Sequence, residues 1–283
     1  MPTVDEVLAE ATRRCMESPF IETPGDPAEE VRELLGVVLG RTPRPDEELE
    51  GRPLSRFRRL VGRRAAGEPI AYLTHRAPFG DLELEVGRGA FIPRPSSTFL
   101  ASAALQRLRR RSSPVLVDLA TGIGAIGLWV ARRLPEGKVY GVDISPAALA
   151  LARRNARALG LPNVTFLRGD LFEPLPDGLR GAVDVITIHP PYAARWMMPY
   201  LRQEMQFEPE ESITDSSTTG LELVRAVAES APGWLRPGGW LLLQIVEHRT
   251  REVAPMLREA GLQDVRHLRK KGEPDRVLAG RWR

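Results

Sequence analysis

From about residue 96 onward, short runs of apolar, β-favouring residues alternate with stretches of helical periodicity, and this alternation restricts the fold more than any other feature of the chain. The runs fall at 115–119, 139–142, 164–167, 183–188, 240–246, 265–268 and 276–280, with helical stretches between the first five. Such a pattern predicts an α/β fold, a mostly parallel sheet with helices on both faces. Only residues 270–274 separate the last two runs. That is too short for a crossover, so a hairpin is expected there and one strand near the C-terminus must run antiparallel.

The first 66 residues read as helices alone. Thr3 followed by Glu6 forms a capping-box pattern, and Val4, Val7, Leu8, Ala11 and Cys15 recur at helical spacing. Asp26-Pro27 opens a second helix with Leu34, Leu35, Val38 and Leu39 on its apolar face. Leu54, Phe57, Leu60 and Val61 mark a third. This region has no histidine and no acid cluster in an apolar setting, which suits a packing or recognition domain over residues 1–68. Over residues 69–92, Ile70, Tyr72 and Leu73 precede Phe79-Gly80-Asp81 and the alternation Leu82, Leu84, Val86, a β-hairpin signal for a linker. Ile92-Pro93-Arg94-Pro95 is a stiff extended connector into a third domain, 93–283.

Composition narrows the function. The 283 residues allow a sizeable core. Of 40 basic residues only Lys138, Lys270 and Lys271 are lysines, and the net charge is +3. Residues 1–100 carry 14 basic against 17 acidic groups, so no basic stripe marks a nucleic-acid partner. A single cysteine, Cys15, excludes an internal disulfide and a cysteine-based zinc site, and fits a reducing, cytoplasmic setting. No His/Asp/Glu spacing calls for a metal. The longest apolar stretch, 115–131, is interrupted by Asp118 and by glycines, so no membrane span is expected, and the acidic N-terminal segment is unlike a secretory signal.

The first α/β strand runs into Asp118-Leu-Ala-Thr-Gly-Ile-Gly-Ala-Ile-Gly127, in which Gly122, Gly124 and Gly127 have G-x-G-x-x-G spacing. Glycines there let a ligand approach the backbone, and a nicotinamide dinucleotide would be served as well as any other nucleotide. Asp118, just ahead of the glycines, would be badly placed beside a pyrophosphate. S-adenosylmethionine (SAM) has no phosphate and carries a cationic ammonium. Asp143 ends the next strand, where an acid can take both ribose hydroxyls. Asp170 follows the third, placed to accept from an adenine amino group, with Leu171 or Phe172 against the ring. Three acids in register at the carboxyl ends of successive strands favour SAM.

The fourth strand leads to His189-Pro190-Pro191-Tyr192. With Gly67-Glu68-Pro69-Ile70-Ala71-Tyr72-Leu73, Phe91-Ile92-Pro93-Arg94-Pro95, the Asp118 loop, Phe207-Glu208-Pro209 and Arg236-Pro237-Gly238-Gly239, this motif makes almost the whole chain resemble the release-factor glutamine methyltransferases (HemK/PrmC type). The resemblance implies a Rossmann-like class I SAM-dependent methyltransferase domain behind a small helical domain and a hairpin linker. It implies a cofactor site of Asp118, Ala120, Thr121, Gly122, Gly124, Ile126, Asp143, Ile144, Asp170, Leu171, Phe172 and His189. At the acceptor end the place of the motif implies His189, Pro190 and Tyr192 as the catalytic group, with Pro191 and Tyr192 touching the substrate, and the apolar run after it adds Trp196 and Met197 as a wall for a flat ligand.

The chain departs from that family's pattern mostly at the acceptor end. The family has Asn at position 189, where its side chain and the adjacent proline carbonyl are taken to accept from the substrate amide. The acid-Thr-Glu that follows the family's Pro-Arg-Pro is Ser96-Ser97-Thr98 here, Gln244 stands where a glutamate is usual, Thr219 precedes Gly220 in place of Asp, and Ala120 replaces a glycine. Imidazole titrates near neutrality, so His189 is either a general base or a group that shapes the pocket. These departures, with the apolar run Trp196-Met197-Met198, lead to the expectation of a small aromatic or heterocyclic acceptor, as in a tailoring step of antibiotic biosynthesis. A true release-factor glutamine N5-methyltransferase acting on a protein, a non-methyl elimination or cyclisation, and a silent SAM-binding protein are the alternatives. An NAD oxidoreductase is disfavoured by the Pro-Pro-Tyr motif and the terminal hairpin. Oligomeric state is not legible.

Overall fold

The computed structural model describes residues 1–21, 25–269 and 275–283. The chain divides into two compact units, Met1–Arg76 together with Pro199–Glu208, and Ala77–Met198 together with Pro209–Arg283.

The first unit is built on α1 (Val4–Met16), α2 (Pro27–Leu39), α3 (Gly51–Ala65) and the short α4 (Ile70–Thr74). The Thr3/Glu6 capping box forms, and Asp26 caps α2 with Pro27 in its first turn. Val4, Val7, Leu34, Leu35, Phe57, Val61 and Leu73 close the core. A charge network also lies in this unit, where the sequence suggested none in an apolar setting. Arg64, 1 % exposed, pairs through Nε with Glu30 at 2.7 Å and through Nη1 with Glu204 at 2.7 Å. Breaking such a buried pair costs about 3–5 kcal/mol, because the remaining charge is left without compensation. Glu204 arrives from far along the chain, which is why local sequence does not reveal the network. Residues 70–74 are helical where the sequence suggested strand, because Ala71, Tyr72, Leu73 and Thr74 are all buried in succession and five such residues show neither period.

The second unit begins with the hairpin β1 (Arg76–Phe79) and β2 (Leu82–Glu85), then continues α5 (Ser97–Leu108), β3 (Val115–Leu119), α6 (Ala125–Ala131), β4 (Lys138–Asp143), α7 (Pro146–Ala158), β5 (Val164–Arg168), β6 (Val183–Ile188), α8 (Glu222–Ser230), β7 (Leu235–Val246), α9 (Thr250–Glu259), β8 (Gln263–Leu268) and β9 (Asp275–Arg281). Seven strands form one sheet in the order β5-β4-β3-β6-β7-β9-β8. β3 to β7 pair in parallel, and β9 runs antiparallel to both neighbours, as the short final connection requires. The expected turn at 270–274 lies outside the described residues. Between β5 and β6 the expected helix is only a short 3-10 turn, Asp177–Leu179. The Arg236-Pro237-Gly238-Gly239 turn is a bulge inside β7, since Val183 pairs with Leu235 and Val185 with Trp240.

Strand alternation sorts the buried side chains onto two faces. Val117, Leu119, Ile186, Ile188, Leu241 and Leu243 join α8 and α9 in a large apolar core. The intervening positions include three buried polar residues, Asp118, Thr187 and Gln244. Among the described residues no helix is long and apolar enough to cross a membrane.

Candidate active site

Because β3, β4, β5 and β6 run in parallel, their carboxyl ends share one edge of the sheet, where ligands of open α/β folds bind. The loops that follow them surround a cavity of about 1020 Å³, counted to its open mouth.

Two glycines of the first loop have different duties. Gly122 lines the cavity at φ +57°, and among the described residues nothing lies within 4 Å of a Cβ built there. The space left by the missing side chain is therefore ligand space. A Cβ on Gly124 would stand 2.8 Å from the Phe166 ring, so that glycine serves packing and does not line the cavity. Ala120 sits at φ +49°, left-handed backbone, so replacing the usual glycine is not a neutral change.

Asp118 is turned into the protein. Its Oδ2 accepts from Thr121 Oγ1 at 2.6 Å and from the Gly127 amide at 3.3 Å, and its Oδ1 accepts from Thr187 Oγ1 at 2.7 Å. It braces the loop from beneath. Burial raises its pKa to about 6, against the lowering effect of those hydrogen bonds. A carboxyl raised in the native state favours folding when protonated. That contribution is complete below the unfolded pKa and disappears as pH rises through about 6. Asp118→Asn should therefore gain stability relative to wild type between pH 4 and 7, by up to about 3 kcal/mol. Urea unfolding at the two pH values reads this difference, and a pH-independent difference would contradict the assignment.

Asp143 does face the cavity. Its Oδ2 accepts from the Gly122 amide at 2.8 Å and its Oδ1 from the Ser145 amide at 2.9 Å, and desolvation raises its pKa. A backbone hydrogen bond from Ile144 acts on the same carboxylate, which with about four lone-pair sites still has room for a hydroxyl. Ile144, beside it, is 51 % exposed, an apolar face held open at the rim. Asp170 and Leu171 also line the cavity, with Leu171 at φ +44°. Phe172 instead stacks on Trp234 in the core, with centroids 5.6 Å apart.

His189 lines the cavity at the end of β6. Its Nδ1 lies 3.2 Å from Ser97 Oγ, Phe91 meets the ring edge-on at 5.8 Å, and Tyr192 is tilted 32° to it at 6.0 Å. The motif backbone is pinned beyond the ring. Arg249 donates to the Tyr192 carbonyl at 3.3 Å and to the Thr219 carbonyl at 2.7 Å, and the Ala193 amide donates to the Ile213 carbonyl at 3.0 Å.

Of the residues expected from sequence, Ala120, Thr121, Gly122, Ile126, Asp143, Ile144, Asp170, Leu171, His189 and Pro191 line one cavity. Asp118, Gly124, Phe172, Pro190, Tyr192, Trp196 and Met197 do not. Trp196 is 64 % exposed, so the flat apolar wall expected of Trp196 and Met197 is not built. Residues missed at the sequence level include Ser145, Glu211 and Leu223, while Ser97 was noted only as a departure in the run after the connector. Phe91 and Arg94 were visible only as parts of the connector. His75, His248 and His267 are exposed and lie outside the cavity.

Residues 111–278 match the methyltransferase domain family. Among solved structures, the Thermus thermophilus 16S rRNA N2 G1207 methyltransferase, in complex with AdoMet and guanosine, superposes with a TM-score of 0.54 at 22 % identity, covering 74 % of this chain and 50 % of that one, a likeness of fold. The sheet, the acid-bearing loops and these matches define a class I methyltransferase that uses SAM. Residues 6–74 match the PrmC N-terminal domain. The release factor glutamine methyltransferase of Moorella thermoacetica is 38 % identical, covering 92 % of this chain and 91 % of that protein, and the one from Vibrio cholerae is 34 % identical over 99 % and 97 %. The chain belongs to the release factor glutamine methyltransferase family. These relatives overturn the expectation of a small aromatic acceptor in antibiotic biosynthesis, and the exposure of Trp196 removes part of its physical basis.

Proposed function

We propose that this chain transfers a methyl group from SAM to the side-chain amide nitrogen of a glutamine in a release factor, as a glutamine N5-methyltransferase. The observation that carries the reading is full-length similarity to enzymes of that name, including the N-terminal domain that distinguishes them. The open mouth of the cavity and the exposed Trp196 beyond the motif suit a protein acceptor better than an enclosed small molecule. We assign residues 1–68, which share a compact unit with residues 199–208, to recognition of that protein, residues 69–92 to a linker and the rest of 93–283 to methyl transfer.

The cavity fits SAM in its spare carboxylate lone pairs and in the open space at Gly122. Asp143 would hold the ribose hydroxyls, with Ile144 and Leu171 on either side of the adenine and Asp170 at its amino edge. Bound there, SAM supplies an electrophilic methyl carbon with a sulfur leaving group. This chain supplies position. His189, which lines the cavity, orients the glutamine NH₂, and the approach is set at near-attack distance.

Asp143→Ala should weaken SAM binding by about 100-fold through lost charge-assisted hydrogen bonds. Calorimetric titration with SAM measures it, and a change within about threefold would remove Asp143 from the cofactor site. The whole reading is tested by transfer of labelled methyl from SAM to a purified bacterial release factor, with wild type and His189→Asn in parallel. Label on one glutamine with wild type is the expected result. No label, while SAM still binds, would sink the proposal.

A further inference from the structure

Residues far apart in sequence meet beside the motif that follows the fourth parallel strand. Ser97 Oγ lies 3.2 Å from His189 Nδ1, and Gln244 Nε2 donates to Ser96 Oγ at 3.2 Å. Ser96 and Ser97 open α5, so the tie from Gln244 on β7 fixes the turn that presents Ser97. Ser97 is 3 % exposed, so bulk water does not compete for its hydroxyl.

A neutral imidazole has one donor nitrogen and one acceptor nitrogen, and the Ser97 hydroxyl can meet Nδ1 as acceptor or as donor, each arrangement belonging to one tautomer. An asparagine at this position carries a carbonyl oxygen that accepts in any protonation state. A histidine accepts an amide N–H at Nε2 only when its proton sits on Nδ1. We propose that Ser97 is a positioning residue for methyl transfer: its Oγ accepts the Nδ1–H of His189 and holds the ring in the tautomer whose Nε2 lone pair faces the substrate amide. This inference rests on the proposed glutamine acceptor.

The proton balance follows. A primary amide has two N–H bonds. The new N–C bond forms as the methyl–sulfur bond breaks, the sulfur keeping that electron pair, and one N–H proton leaves the amide nitrogen. Nε2 takes it, the ring becomes imidazolium with Nδ1–H still on Ser97, and the proton then passes to solvent.

The test uses the full chain. Nitrogen-15 NMR of the imidazoles at pH 8, above the ordinary histidine pKa of about 6.5, identifies His189 by its loss in His189→Asn. The Nδ1–H tautomer is expected in wild type and a mixture in Ser97→Ala, and an Nε2–H tautomer in wild type overturns the proposal. In methyl transfer to the release factor, Ser97→Ala should lower kcat about tenfold with KM for SAM unchanged, and Ser97→Thr should restore it within about twofold. Placed in the His189→Asn background, Ser97→Ala should change kcat by less than about twofold, because an amide carbonyl needs no tautomer. An equal loss in both backgrounds would make Ser97 merely structural and overturn the proposal. Should wild type methylate no release factor at all, the acceptor assignment falls, and the NMR arm still decides what Ser97 does.

Discussion

His189→Ala is expected to lower kcat for methyl transfer by about 10²–10³-fold while leaving the SAM Kd within about threefold. The ring lies at the end of β6, with Ser97 at one edge and Phe91 and Tyr192 around it, whereas Asp143 and Gly122 form a different stretch of the cavity wall. Alanine removes the acceptor for the amide proton and leaves the glycine loop untouched. His189→Asn is expected to stay within about tenfold of wild type, because its carbonyl accepts from the same amide. Single-turnover kinetics beside calorimetry separates the two effects. An equal loss of SAM affinity and turnover would place His189 in the cofactor site instead.

Gly220→Ala should lower kcat about 100-fold although it touches neither ligand, since a displacement of about 1 Å at a reacting group is enough. A Cβ there would stand 2.5 Å from the Tyr192 carbonyl oxygen, 2.7 Å from the Ala194 nitrogen and 2.8 Å from the Ala193 carbonyl carbon, on backbone at φ +71°. All three are main-chain atoms, so no side chain can swing away. The segment is also held by Arg249 and by the Ala193–Ile213 and Arg195–Ser217 hydrogen bonds, so strain passes into the motif. Stability should fall by about 1–3 kcal/mol, read from the urea midpoint. Gly178→Ala, where a Cβ meets nothing within 4 Å among the described residues, is the control and should leave kcat unchanged. Equal effects at the two positions would show that close approach at Gly220 is not what matters.

Much of this site was legible in the sequence because it lies at ends of elements. β3 and β6 begin and end where the apolar runs do, and the acids and His189 follow directly. Local pattern could not say which way a strand-end side chain turns. Asp118 and Asp143 look alike in sequence, yet Asp118 turns inward to Thr187, its partner in register, and Asp143 opens to the cavity. Ser97 was legible as a departure but its contact with His189 was not, since the two lie 92 residues apart. Trp196 and Met197 misled because an apolar run beside a motif was read as a pocket wall, while Trp196 is spread on the surface. The acceptor itself followed from whole-chain similarity, because the substitutions His189, Gln244 and Ser96–Ser97 can be read either as a new substrate or as a rewired way of holding the old one.

The Arg64–Glu204 pair bears on how this protein can be cut and recombined. Residues 199–208 belong to the helical unit, although 122 residues separate Arg76 from Pro199. A gene fragment that ends after the fourth helix encodes a bundle that keeps Glu30 but lacks Glu204, the second of the two acids paired with its buried Arg64 guanidinium. An exchange of N-terminal domains between relatives inherits a foreign residue at 204 unless both stretches travel together. The unit of folding is discontinuous in the gene, so position 204 and position 64 are expected to be inherited as one character.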